Sequence, residues 1–187
     1  NFQSRHRLSV TGYVDLTTWK TMGYSEYDWY NLGTYRTPMK VTYTSNRQDR
    51  INAMIQTAID YKNAGTGYKV GCSGTPGSYV DCSGLIYQCL YAAGINPSSN
   101  IVDHALAIHE YTSVNLAADD RLGRSVDSNS LQRGDLVFYG KNGKNSVAHV
   151  AIYAGNGMIY DSWPGRGVTY RSVNIGGYHV VRARRVF

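Results

Sequence analysis

Residues 79–94 read Tyr79-Val80-Asp81-Cys82-Ser83-Gly84-Leu85-Ile86-Tyr87-Gln88-Cys89-Leu90-Tyr91-Ala92-Ala93-Gly94. Leu85, Ile86, Cys89, Leu90 and Ala93 recur at helical spacing, so a helix is expected from about Cys82 to Ala93, stopped by Gly94. Cys82 then stands where a loop becomes a helix. Unpaired N–H groups and the helix dipole favour an anion at that point. They are expected to lower the thiol pKa, and the same N–H groups can hold a developing oxyanion. The position therefore suits a nucleophile. It equally suits a small buried residue, the usual fate of a cysteine, and Asp81 can be read simply as the helix N-cap.

Upstream, residues 46–64 form the best amphipathic pattern, with Ile51, Met54, Ile55, Ala58 and Ile59 on one face. Asn46 is the expected N-cap, Asp49 follows three residues on, and Gly65 stops the helix. Residues 65–80 read as a Gly-rich loop, and a short helix is expected over 103–111. Downstream the period changes. The ranges 136–139, 148–154, 157–162, 167–173 and 178–186 read as strands separated by turns such as Gly155-Asn156-Gly157. Helices followed by a run of about five antiparallel strands define an α+β fold.

Two residues in these strands bear on Cys82. His149 is polar within an otherwise apolar strand, so its imidazole needs a partner. A neutral imidazole beside a thiol is a standard activating base, and a core histidine bonded to a backbone carbonyl is the alternative. Asp161 follows twelve residues later, across the turn at Gly155–Gly157. A hairpin there brings His149 and Asp161 to one face, where a carboxylate would aim the ring and fix its tautomer. A surface Asp at a strand end is the other reading.

Composition bounds the function. The chain has 187 residues, 42% hydrophobic and 17% charged, which excludes wholesale disorder. No apolar run reaches the roughly 18 residues of a membrane span. The net charge of +6 is scattered; its densest cluster is Arg182, Arg184 and Arg185, so nucleic acid is not expected as a partner. Seventeen of the aromatic residues are Tyr, suited to partly exposed binding surfaces or simply to strands. The odd count of three cysteines leaves at least one thiol free; Cys89 suits the apolar helix face, whereas Cys72 is ambiguous. No Cys and His stand at zinc-ligand spacing, and no metal or other cofactor is expected.

Residues 1–24 read as a short helix end, a turn and a second helix capped by Asp15, with Trp19 on its buried side. The stretch Leu8-Ser9-Val10-Thr11-Gly12-Tyr13-Val14-Asp15-Leu16-Thr17-Thr18-Trp19 resembles the C-terminal half of a three-helix peptidoglycan-binding repeat. Residues 25–45 read as a linker lying on the next domain, anchored by Trp29 and Tyr30. The chain is expected to be an excised or processed piece, with any export signal upstream.

Three segments together carry a wider resemblance. Asp81-Cys82-Ser83-Gly84-Leu85, Leu131-Gln132-Arg133-Gly134-Asp135-Leu136-Val137-Phe138 and His149-Val150-Ala151-Ile152-Tyr153-Ala154-Gly155-Asn156-Gly157 resemble the NlpC/P60 cysteine peptidases of bacterial cell walls, in that family's order over residues 47–187, with the catalytic domain expected at 46–187. The resemblance implies a papain-like core, with a nucleophile-bearing helix packed on an antiparallel sheet that bears the base. It implies that Cys82 is the nucleophile and His149 the base. The third catalytic position, most often His in the family, is Asp161 here. Tyr68, in Gly67-Tyr68-Lys69-Val70-Gly71, matches a Tyr that lines the family's site. Asp81 and Ser83 stand where members that cut stem peptides hold the peptide's free amine, and Cys72 replaces a usual second Gly. The implied protein is a secreted or wall-associated monomer acting on peptidoglycan stem peptides, at the bond between D-γ-glutamate and the diamino acid. A CHAP-type amidase and a non-enzymatic wall-binding module are the alternatives.

Overall fold

The computed structural model describes residues 2–11, 14–24, 26, 35–97 and 112–187. The expected anchors Trp29 and Tyr30 and the expected helix over 103–111 lie outside the described residues.

Two helices make one layer. The first of them, α3 (Arg47–Asn63), follows two short N-terminal helices, α1 (Phe2–Arg5) and α2 (Leu16–Thr21). Its start is a reciprocal cap: the Asp49 N–H donates to the Asn46 side chain at 3.0 Å, and the Asn46 N–H donates to the Asp49 carboxylate at 2.9 Å. Ile51, Met54, Ile55 and Ala58 are buried as the spacing requires, Ile59 is half-buried, and Tyr61 extends the stripe. The chain leaves through Gly65 at φ +67°, a conformation costly for other residues. The second, α4 (Cys82–Ala92), buries nearly every side chain and lies against α3.

The loop between them is more ordered than its composition implies. Its ends form a short parallel pair, β1 (Gly67–Tyr68) with β2 (Tyr79–Val80). A further short helix, α5 (Ser113–Ala118), precedes the sheet.

The sheet has six strands where about five were expected. The addition is β3 (Arg124–Val126), three residues long and too short to show alternation, paired antiparallel to β8. The others are β4 (Leu136–Lys141), β5 (His149–Gly155), β6 (Met158–Trp163), β7 (Gly167–Ser172) and β8 (Tyr178–Arg185). The order is β3-β8-β4-β5-β6-β7. The fold is thus α+β with an antiparallel sheet.

Strand alternation buries both faces of this sheet. Leu136, Phe138, Val150 and Ile152 join the helices in the main core. Val137, Tyr139, Ala151 and Ile159 form a second core on the opposite face, covered by Ile175, Val173 and Tyr178. Two charged groups are packed into the frame. Arg184 is 2% exposed and donates to the carbonyls of Ala117 and Gly123 and to Asp120. Asp135 accepts from Arg185 and from the Gln132 N–H, closing the turn into β4 beside Gly134, at φ +93°.

The N-terminal residues tie to one another. Asp15 caps α2 by accepting from the Thr18 N–H at 2.7 Å, and the buried Gln3 amide donates to Thr11 and Thr18. Thr18, not Trp19, is the buried residue of α2; Trp19 is half-buried and stacks on Tyr24 at 4.3 Å, because so short a chain offers no core deep enough for an indole. Of the stretch read as a linker, residues 35–40 bond to α4. The Thr37 N–H donates to Gln88, Gln88 donates to the Tyr35 carbonyl, and the Lys40 N–H donates to the Ala92 carbonyl.

Candidate active site

Cys82 opens α4. Asp81 is the N-cap, accepting from the Gly84 N–H at 2.7 Å and the Ser83 hydroxyl at 2.9 Å through one oxygen. Its other oxygen accepts from the Gly71 N–H at 2.7 Å. One buried carboxylate thus joins the helix start to the loop after β1. Ser162 of β6 adds a second tie, donating to the Val80 carbonyl at 2.9 Å.

Cys82 keeps part of its surface open. The expectation of a lowered thiol pKa is overturned. Burial pushes the Cys82 thiol up to about 12, and the Asp81 charge adds to the rise. The backbone N–H groups of Val150 and Ser83 pull the other way without winning. The physical reason is first the depth of the sulfur and then the cap: the carboxylate that completes the helix start adds a negative charge beside it. The resting thiol is therefore neutral at pH 7.

The hydrogen-bonding part played by the Val150 N–H puts the thiol at the start of β5, one residue from His149. His149 is 4% exposed, and its partner is a carboxylate, not a carbonyl: Nε2 meets Asp161 Oδ2 at 2.7 Å. The β5–β6 register pairs Ile152 with Tyr160 and Tyr153 with Ile159, which sets Asp161 diagonal to His149 on one face. Its glycine turn includes Asn156 at φ +52°.

Asp161 is fully buried. Burial by itself would raise its carboxyl; hydrogen bonds from His149, Arg171 and Thr169 outweigh that and hold it below the usual carboxylate range. Thr169 Oγ1 donates at 2.5 Å, and Arg171 Nε donates at 3.1 and 3.2 Å to the two oxygens, with Nη2 as a further donor. The Arg171 guanidinium lies over the Trp163 ring, 4.1 Å from its centroid. Trp163 in turn sets its ring edge-on to His149 at 4.9 Å and to Tyr178 at 5.3 Å. Tyr139 is the other ring beside His149, at 5.9 Å.

Tyr68 is half-buried on β1. Burial, with Cys82 and Asp81 nearby, pushes its phenol up to about 12, so it is a hydroxyl donor at neutral pH. Cys72 is half-buried and Cys89 fully buried; neither is in a disulfide among the described residues, and burial raises both thiols. The Cys72 carbonyl accepts from the Asp81 N–H at 2.8 Å, so its backbone, at least, supports the cap.

The six residues singled out in the sequence thus cluster around the start of α4 and the β5–β6 hairpin. Arg171 and Thr169 escaped sequence reading. Their signal was present as polar side chains two apart in a strand that follows Asp161, but only the β6–β7 register, with Asp161 opposite Thr169, tells which face they take.

A helix led by a cysteine, set on an antiparallel sheet that carries a buried His-Asp pair, defines a class of domain. Residues 65–185 match the model of the NlpC/P60 family, and the chain belongs to that family. It is 33% identical over 108 residues to a gamma-D-glutamyl-L-lysine dipeptidyl-peptidase of Bacillus cereus, covering 57% of this chain and 28% of that protein. It is 31% identical over 129 residues to murein DD-endopeptidase MepH of Escherichia coli, covering 65% of this chain and 41% of that one. A crystal structure of an NlpC/P60 family protein from Bacillus cereus superposes with a TM-score of 0.52 at 31% identity, over 69% of this chain and 40% of that chain. The chain spans less than half the length of these relatives. The family match leaves residues 1–64 outside it.

Proposed function

We propose that this chain is a peptidoglycan hydrolase that cuts an amide bond in the stem peptide by a Cys-His mechanism. The observation that carries the reading is the thiol of Cys82 at a helix start, against the Val150 N–H, one residue from an imidazole fixed on a buried carboxylate. The family and the names of its relatives supply the substrate class.

Asp161 engages Nε2 of His149, which leaves Nδ1 as the nitrogen for the thiol proton. Because the resting thiol is neutral, proton transfer to His149 accompanies attack of the sulfur on the carbonyl carbon. The first-turn N–H groups of α4 have no intrahelical acceptors, and with the Tyr68 hydroxyl they would hold the oxyanion. His149 returns the proton to the leaving amine. Water, deprotonated by His149, then clears the thioester.

Asp81 and Ser83 are proposed to meet the free amine of the stem peptide, although both already serve the helix cap. The proposed bond joins D-γ-glutamate to the diamino acid; the name of one relative, a gamma-D-glutamyl-L-lysine dipeptidyl-peptidase, points to it, and that of another, a murein DD-endopeptidase, to a DD bond. Among the described residues no helix is long and apolar enough to cross a membrane, and a secreted or wall-associated site of action follows from the substrate.

Mass spectrometry of muropeptides tests this. The chain should release fragments cut within the stem, and Cys82→Ala should release none while wall binding persists. Sugar-free intact stems would assign an amidase instead. Equal cleavage by Cys82→Ala, or wall binding with no cleavage by the unaltered chain, would overturn the mechanism.

A further inference from the structure

Asp161 is an ionised carboxylate, fully buried, facing an imidazole at 2.7 Å. Left to itself such a neighbour favours the charged imidazolium, by about 1–3 pKa units. An imidazolium cannot accept a thiol proton, and the Cys82 thiol still holds one. The dyad therefore needs a counter-charge. The structure places a guanidinium on the same carboxylate, as a fork, from β7. Trp163 holds that guanidinium by its face and packs its edge on His149.

We propose that Arg171 is a positioning residue that neutralises Asp161, so that the Asp161–Arg171 pair orients His149 as an uncharged acceptor would and leaves its imidazole free to act as a base. The inference rests on the Cys-His hydrolase reading and deepens it. The other groups around the pair add no compensating charge: Tyr139 comes from β4, Cys82 with Asp81 from the start of α4, Tyr68 from β1, and Tyr178 from β8 by way of Trp163. Thr169 contributes a hydroxyl only.

The test is the titration of the His149 ring, followed by long-range proton–nitrogen NMR in the resting protein, together with the acid limb of kcat/KM for muropeptide cleavage. Arg171→Gln should raise the His149 pKa by about one unit or more and move the acid limb up with it. Asp161→Asn, which strands the guanidinium, should lower both. The double variant Asp161→Asn/Arg171→Gln restores a neutral acceptor and should return both toward the unaltered protein. Arg171→Lys keeps the charge and should hold the titration near its starting value. A folded Arg171→Gln whose His149 titration is unmoved or lowered would overturn the proposal. Should Arg171→Gln not fold, the comparison of Asp161→Asn with the double variant decides, since the double must titrate higher. The ring titration needs no substrate. Failure of the unaltered chain to cut muropeptides would overturn the hydrolase reading and the base role with it, whereas an unmoved ring titration in Arg171→Gln would overturn this inference alone.

Discussion

Cys82 has two backbone N–H groups turned toward its sulfur and yet remains a neutral thiol, because burial and the Asp81 charge outweigh them. On the mechanism proposed above, the reactive anion is made at the moment of use, with His149 as the acceptor. Carbamidomethylation of Cys82, followed by peptide mass spectrometry, should therefore keep accelerating up to about pH 10, well beyond the ordinary thiol range. A rate that levels off near neutrality would mean a preformed thiolate–imidazolium pair. At this scale the sequence was readable for where Cys82, His149 and Asp161 stand, at a helix start and on one face of a hairpin, since each is a polar or reactive group in an otherwise patterned segment. The sign of the thiol shift was not readable. It depends on how deep the sulfur sits and on where the Asp81 carboxylate turns, both of which are tertiary facts.

At the scale of elements, boundaries marked by caps and glycines could be read closely. Asn46, Asp81 and Gly65 stand where the helices begin and end. The short pieces could not: β3 and the β1–β2 pair have two or three residues each, too few for any period to register. One close approach joins them to the site. Gly167, at φ +67°, begins β7 with its backbone against Thr66, and an added Cβ would lie 2.1 Å from the Thr66 carbonyl oxygen. Gly167→Ala should destabilise the fold by about 1–3 kcal/mol through overpacking and strain, read as a lower urea midpoint at unchanged slope. Because β7 also carries Thr169 and Arg171, activity should fall further than stability alone explains. A variant with the midpoint and activity of the unaltered chain would show that the contact at Thr66 is not limiting.

At the scale of the whole molecule, residues 35–40 are bound to the helix that Cys82 opens. Gln88 is wholly buried, and its amide is satisfied from two sides, by Ser73 and by Thr37 and Tyr35. A chain begun at residue 46 would strip that amide of two of its three partner residues, Thr37 and Tyr35, at about 1–3 kcal/mol for each polar group left unpaired. A chain begun at residue 35 should keep the denaturation midpoint of the full chain, and one begun at residue 46 should not. Equal midpoints would mean that water replaces the lost bonds. The sequence pattern placed residues 25–45 outside any helix or strand, but it could not reveal that a glutamine fifty residues away would reach for their backbone.

Asp81 caps the helix and holds the Gly71 N–H with the same carboxylate. Tyr68 stands three residues before Gly71, so the loop that carries it and the start of α4 are bound through this carboxylate, beside the bond from the Asp81 N–H to the Cys72 carbonyl. A shift of that loop is thereby coupled, through one side chain, to a shift of the helix start that seats the sulfur.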